Sequence, residues 1–161
     1  MRYLSAPRIR PVAIPLIEDG IVVLDENGRI TDVIDPMLRA EEARMLKDAG
    51  KVERHEGDIV PGFINAHCHL ELSHLRGKLT RGGGLPDFLR QVIAARPAER
   101  EQLEAAMLEA DRELFDGGVV AVGDISNSTD SLVIKRRSKL RYHTFVEVFD
   151  LHPSRAEARM K

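Results

Sequence analysis

The chain has 161 residues, of which 43% are hydrophobic and 31% charged, and this composition indicates a globular protein able to bury a core. Its 24 Lys and Arg residues nearly balance 26 Asp and Glu residues, which excludes the strongly basic surface that recruits nucleic acid or an anionic membrane. No apolar segment approaches the roughly 20 residues that span a bilayer and no signal peptide is recognisable, so we expect a cytoplasmic protein with a small-molecule partner.

The first part of the chain is predicted to be rich in β-structure. Residues 20–24 and 29–34 are β-branched runs on either side of Asn27-Gly28, and an Asn-Gly pair in this setting predicts a hairpin because both residues tolerate positive φ. Residues 37–49 are rich in Leu, Met, Ala, Glu and Arg and end at Gly50, which is typical of a short helix with a glycine cap. We assign residues 1–58 to a small β domain.

The second part alternates between strand and helix patterns, as a parallel βα sheet requires. The helix at residues 99–116 has the clearest pattern, with apolar residues at helical spacing and Gly117-Gly118 at its end. We assign residues 59–161 to this second domain. Its predicted strands are residues 59–66, 119–124 and 142–149, and its predicted helices are residues 85–95, 99–116 and 130–139, with a further helix from Ser154.

His67 and His69 stand at the carboxyl end of the first buried strand. Side chains at i and i+2 of a strand share a face, so the two imidazoles can converge on one divalent ion, while Cys68 faces away as a small core residue. Such pairs also occur by chance. This pair, however, lies where βα barrels build their active sites. The single cysteine also agrees with a reducing compartment.

The run Pro-Gly-Phe-Ile-Asn-Ala-His-Cys-His-Leu at residues 61–70 resembles the signature of the amidohydrolase superfamily. In that family a small β-sandwich precedes the first barrel strand and its His-x-His pair. The hairpin is similar to the family's sandwich strands, and residues 117–124 resemble its second barrel strand. Residues 70–77 look most like the branch that holds chlorohydrolases and deaminases of nucleosides and related heterocycles.

The resemblance implies an α/β fold with the first three βα units of a (β/α)8 TIM-like barrel, preceded by strands of a β-sandwich. It also implies a divalent metal ion, zinc first and iron as the alternative, with His67 and His69 as ligands. A metal ion with an open position lowers the pKa of bound water from 15.7 toward about 7 and so supplies hydroxide at neutral pH. The implied activity is hydrolysis of a carbon–nitrogen bond other than a peptide bond, by deamination of a small amino-heterocycle or nucleoside-like substrate.

The length does not suit a complete barrel, which takes about 250 residues. We therefore expect a truncated product, a fragment or one piece of a split protein, with the family's further ligands and proton-transfer groups on later strands. The third strand would have an unpaired edge that favours association with a missing carboxy-terminal segment or with another copy of the chain. The alternative function is a catalytically incompetent fragment that binds metal or serves in association.

Three polar residues near the pair have open interpretations. Glu71 shares the metal face if the strand continues, so it is predicted to bind substrate, with a solvated loop carboxylate as the alternative. His74 could approach the pocket, but a surface histidine is favoured. Asp124 ends the second strand on the active-site side, where it could serve the site or cap the following turn.

Three further features are weaker. His143 and Glu147 share one face of the third strand, and periodicity does not say which way that face points. Residues 82–84 form a triple glycine without the Lys-Ser/Thr of a phosphate loop, which favours a flexible connector. The basic run at residues 135–139 is predicted to be the solvated end of a helix rather than a nucleic-acid contact.

Overall fold

The computed structural model describes residues 1–148 and residue 158. The chain divides into two compact units, Met1–Pro61 and Gly62–Lys161. None of the helices in the described part of the chain is long and apolar enough to cross a bilayer.

The first unit contains two small sheets and one helix. Its elements are β1 (Arg2–Ser5), β2 (Arg8–Ile9), β3 (Ile17–Glu18), β4 (Ile21–Leu24), β5 (Ile30–Ile34), α1 (Ala40–Asp48), β6 (Val52–Arg54) and β7 (Asp58–Ile59). The four-stranded sheet has the order β5-β4-β1-β6, and the three-stranded sheet has the order β3-β2-β7. One buried apolar cluster joins Ile21 and Ile34 of the four-stranded sheet to Ala43 of α1, and a second joins Ile9 and Ile17 of the three-stranded sheet to Val22 of β4.

The predicted hairpin is confirmed, since β4 and β5 pair antiparallel. Gly28 has a φ of +77°, and Oδ1 of Asp25 accepts hydrogen bonds from the backbone N–H groups of Asn27 and Arg29. The turn is therefore closed by the aspartate as well as by the glycine, as is common for Asx turns. Helix α1 begins later than the predicted residue 37 because Oδ1 of Asp35 accepts the Met37 N–H and forms a separate turn.

The second unit alternates strands and helices along the chain. Its elements are β8 (Phe63–Cys68), a 3₁₀ helix (Leu70–Leu75), α2 (Gly84–Ala95), α3 (Arg100–Asp116), β9 (Val119–Ser126), α4 (Leu132–Lys135) and β10 (Arg141–Val146). The three strands are parallel and have the order β10-β9-β8. Leu70, Met107 and Ile134 of the helical segments form a buried cluster, against which Cys68 and Tyr142 of the strands pack. This is a mixed α/β arrangement, and its described strands form an open sheet rather than a closed barrel.

The prediction of one strand at residues 59–66 is wrong. Ile59 pairs with Ile9 in the first unit, whereas β8 begins at Phe63 and pairs with β9 in the second. Pro61 and Gly62 lie between them; proline lacks the N–H that a central strand donates and glycine weakens a strand, so the run divides at this point.

The helix predicted at residues 130–139 is also shorter than expected. It spans only Leu132–Lys135, and the hydroxyl of Ser138 then donates to Asp111 and accepts the Leu140 N–H, which turns the chain into β10. The predicted end of the third strand, Phe149, and the predicted helix from Ser154 lie outside the described residues.

Candidate metal centre

His67 and His69 lie together at the carboxyl end of β8. His67 is the penultimate residue of the strand and His69 follows its last residue. Their ring centroids are 5.2 Å apart, with an angle of 68° between the ring planes. The pair is therefore adjacent at the strand end, as the spacing predicts, and its assignment as a metal-ligand pair stays a prediction.

A bulge in β8 lies at the pair itself, since it falls between Asn65 and Cys68 and includes His67. Asn65 pairs with Val122 and Cys68 with Asp124, so three steps along β8 correspond to two along β9. The Asn65 side chain accepts a hydrogen bond from the His67 backbone N–H at 3.2 Å. Bulges disrupt the ladder and re-aim side chains, and they are common next to active sites. Sequence periodicity did not predict this one.

The imidazole of His69 carries a polar atom without a protein partner. His67 is exposed and His69 half-buried, and Nδ1 of His69 is the buried side-chain nitrogen or oxygen that lacks a hydrogen bond within the described part of the chain. Leaving such an atom unpaired is costly. A metal ion at Nδ1, or an acceptor for its N–H while Nε2 binds the metal, would satisfy it, so the residues fit a zinc-type ion.

The pair accounts for two ligands. Within residues 1–148 and 158, no group of three His, Cys, Asp or Glu side chains is placed to hold one ion. Catalytic zinc sites normally have three protein ligands and a water. The described geometry thus supplies a partial centre.

Cys68 does not share the site. It is half-buried and packs against the cluster of Leu70, Met107 and Ile134, as predicted for a small core residue. Burial, with a smaller effect of the nearby Asp124 carboxylate, raises the pKa of the Cys68 thiol to about 11. The thiol is therefore protonated at neutral pH, which argues against a nucleophilic role.

Glu71 is buried within the 3₁₀ helix, and its side chain is 3% exposed. One oxygen accepts hydrogen bonds from Arg96 and from the Asn127 N–H, and the other accepts them from the N–H and hydroxyl of Ser128. The alternative of a solvated loop carboxylate is wrong. Its predicted contact with substrate stays a prediction and would require one of these bonds to open.

His74 is buried rather than exposed, so the favoured surface interpretation is wrong. Its Nδ1 lies 3.2 Å from the carbonyl oxygen of Glu71, and its Nε2 lies 3.0 Å from that of Arg96. The ring thereby links the 3₁₀ helix to the segment after α2. Helical spacing did not predict this contact, because Arg96 lies on another element.

Asp124 is completely buried in β9, which continues for two residues beyond it to Ser126, and it pairs with Cys68, the residue between the two histidines. Its Oδ1 accepts the Leu70 N–H at 2.7 Å, and its Oδ2 accepts the Ser126 hydroxyl at 2.8 Å and pairs with Lys135. It does not cap the turn that follows it, so that alternative is wrong.

The basic run at residues 135–139 is only partly solvated. The side chain of Lys135 is 6% exposed, which contradicts its assignment to a solvated helix end. Arg136, Arg137 and Lys139 are exposed as predicted.

Side-chain contacts show which face of β10 points toward the helices. Tyr142 donates to Asp111 of α3 and Thr144 accepts from Lys135 of α4, so these alternate residues face the helices. His143 and Phe145 are therefore on the opposite face, where their rings lie 4.6 Å apart.

The sequence profile of the Amidohydrolase family matches residues 59–159. An aminodeoxyfutalosine deaminase of a Nitratiruptor species is 28% identical over 155 residues, which are 92% of this chain and 36% of that protein. The chain thus spans just over a third of the length of this curated relative.

Solved structures share the fold. The Helicobacter pylori aminofutalosine deaminase in complex with methylthio-coformycin superposes with a TM-score of 0.73 at 24% identity, over 99% of this chain and 39% of that one. An adenosine deaminase from Xanthomonas campestris with bound zinc has a TM-score of 0.54 at 22% identity, over 83% of this chain and 31% of that one.

Proposed function

This chain belongs to the amidohydrolase family, and we propose that it contributes the first three strands of a metal-dependent hydrolase barrel that acts on carbon–nitrogen bonds other than peptide bonds. The observation that carries the proposal is the pairing of His67 with His69 at the carboxyl end of β8, inside the family match. Active sites of (β/α)8 barrels are built at that end of the strands.

The proposed ligands are His67 and His69, with zinc as the first metal and iron as the alternative. Neutral imidazole nitrogens suit both metals. A bound divalent ion would lower the pKa of a coordinated water and so supply hydroxide at neutral pH. The relative from Xanthomonas campestris, which was solved with bound zinc, supports the choice of zinc.

The proposed reaction is deamination of an amino-heterocycle or nucleoside-like small molecule. The support is the names of similar proteins, which are an aminodeoxyfutalosine deaminase and an adenosine deaminase. In this chain, the carboxylate of Glu71 joins the 3₁₀ helix to the loop after β9. It therefore connects the 3₁₀ helix that follows His69 to residues 127 and 128, and it becomes available to substrate where one of its hydrogen bonds opens.

A second candidate is a non-catalytic module that binds metal or associates with another copy of the chain. The exposure of apolar side chains on the outer strands of the open sheet favours it: Ile64 of β8 is 71% exposed and Val146 of β10 is 80% exposed. Apolar edge strands of this kind promote association. Concentration-dependent dimerisation without any hydrolysis would favour this candidate.

Ammonia release tests the proposed function. Adenosine, aminodeoxyfutalosine and other amino-heterocycles would be incubated with the zinc-loaded chain, alone and mixed with the remaining barrel segment of the Nitratiruptor relative. We expect release in the mixture, and its loss in a matched preparation that carries His67→Ala. The proposal would be contradicted if no substrate released ammonia with the unaltered chain, either alone or in the mixture. It would also be contradicted if the release did not need His67.

A further inference from the structure

We propose that Asp124 is a positioning residue for the histidine pair, acting through the peptide group between His69 and Leu70. The inference rests on the proposed function, because it concerns how the chain orients its metal ligands. Asp124 comes from β9, whereas the peptide it holds belongs to the chain that leaves β8. A residue of the neighbouring strand therefore fixes the backbone of a ligand.

The backbone at His69 needs such a contact. Strand pairing of β8 ends at Cys68, whose partner is Asp124 itself, and the 3₁₀ helix begins at Leu70. His69 thus lies between the two elements, after a bulge that has already broken the ladder. The 2.7 Å hydrogen bond from the Leu70 N–H to Oδ1 of Asp124 extends the connection between β8 and β9 two residues beyond Cys68. It also satisfies an N–H in the first turn of the 3₁₀ helix.

The carboxylate is held in one orientation. Its Oδ2 accepts the Ser126 hydroxyl at 2.8 Å and lies 2.5 Å from the Lys135 ammonium nitrogen. Lys135 also donates to the hydroxyl oxygens of Ser126 and Thr144, at 3.0 and 2.9 Å. With Oδ2 fixed in this way, Oδ1 is directed at the Leu70 N–H and the His69–Leu70 peptide plane has a defined orientation.

This arrangement matters because metal ligands act only in a narrow geometry. A site needs its ligands held within about 0.5 Å of the productive position by surrounding hydrogen bonds. Loss of outer contacts to a ligand typically weakens metal binding by about 10-fold to 100-fold. A purely structural buried ion pair would change stability without this selective effect on metal binding.

Two double variants separate the hydrogen bond between Asp124 and Leu70 from the ion pair between Asp124 and Lys135. Both replace Lys135 by methionine, so both remove the ion pair; one carries Asp124→Asn, whose carbonyl oxygen can still accept the Leu70 N–H, and the other carries Asp124→Leu, which cannot. Zinc affinity is measured by chelator competition on the full 161-residue chain, with thermal unfolding of each variant alongside. We expect Asp124→Leu/Lys135→Met to bind zinc at least about tenfold more weakly than Asp124→Asn/Lys135→Met. Equal affinities would overturn the inference.

Amide hydrogen exchange supplies a readout that requires neither metal nor a variant. We expect the Leu70 amide of the unaltered, metal-free chain to be protected, and rapid exchange there would overturn the inference.

Failure of the proposed function and failure of the positioning role of Asp124 give different results. Zinc binding by the unaltered chain that is insensitive to His67→Ala contradicts the proposed function. Binding that needs His67 but is equal in the two double variants contradicts only the role of Asp124.

Discussion

Lys135 places its ammonium nitrogen 2.5 Å from Oδ2 of Asp124, and the two side chains are 6% and 0% exposed. The pair joins α4 to β9 on the helix-facing side of the sheet. Because both charges are removed from water, each depends on the other for compensation.

Removing one partner of this pair is predicted to destabilise the second unit strongly. Lys135→Met leaves the Asp124 carboxylate buried without its cation, which should lower the free energy of unfolding by about 3 to 5 kcal/mol in urea denaturation. Adding Asp124→Asn should recover most of that loss, since no charge is then left unpaired. The matched control is Arg100→Gln, which breaks the exposed pair with Glu104 and should leave the denaturation midpoint unchanged. A loss no larger than that of the control would contradict the account.

Ionisation of Tyr142 should lower the unfolding free energy of the chain at alkaline pH. Burial and its 2.8 Å hydrogen bond to Asp111 raise the pKa of the Tyr142 phenol above its ordinary value. Its proton is thus held more tightly in the folded chain, so this contribution is complete below about pH 10 and falls as the pH rises above it.

The comparison with Tyr142→Phe isolates this effect. At pH 8 the unaltered chain should exceed the variant by about 1 to 2 kcal/mol in unfolding free energy. By pH 11 the difference should shrink by about 1 kcal/mol, measured by urea denaturation at both pH values. A difference in unfolding free energy that stays constant or grows between pH 8 and pH 11 would contradict a raised pKa of Tyr142.

Glu71 should stabilise the 3₁₀ helix after His69 and the loop after β9. Glu71→Gln keeps the shape but removes the charge that Arg96 and two backbone N–H groups contact, and we expect a loss of about 1 to 3 kcal/mol in unfolding free energy. Limited proteolysis should also cut the variant faster near Asn127. Glu113→Gln, which affects the exposed pair with Arg76, serves as the control. Identical proteolysis of the two variants would show that Glu71 does not order the loop.

Cys68→Ser should not change the zinc content of the chain. The thiol packs among Leu70, Met107 and Ile134 rather than beside the imidazoles. Zinc is measured by elemental analysis after dialysis, and circular dichroism verifies that the variant is folded. Zinc loss from a folded Cys68→Ser chain would mean that the cysteine is a ligand.

The sequence predicts those parts of the molecule that depend on local patterns. The alternation of strands and helices, the hairpin at Gly28 and the long helix α3 all follow from periodicity and glycine placement. The adjacency of His67 and His69 follows from the i, i+2 spacing at a strand end. These features need only a few neighbouring residues.

The contacts around the pair could not be predicted in the same way. Asp124 and Leu70 are 54 residues apart in the sequence, and Glu71 and Ser128 are 57 apart. Both hydrogen bonds therefore depend on the register of β8 against β9 and on the bulge in β8. Lys135 belongs to the basic run at residues 135–139, which is typical of a solvated helix end. Its burial follows from the carboxylate opposite it, which no helical pattern reveals.

The zinc affinity of four chains decides whether His67 and His69 are metal ligands. Isothermal titration would compare the unaltered chain with His67→Ala, His69→Ala and the control His55→Ala, whose histidine lies in the first unit. We expect the unaltered chain and His55→Ala to bind zinc equally, and His67→Ala and His69→Ala each to bind it at least about tenfold more weakly. Equal zinc affinity in all four chains would contradict the assignment of His67 and His69 as metal ligands.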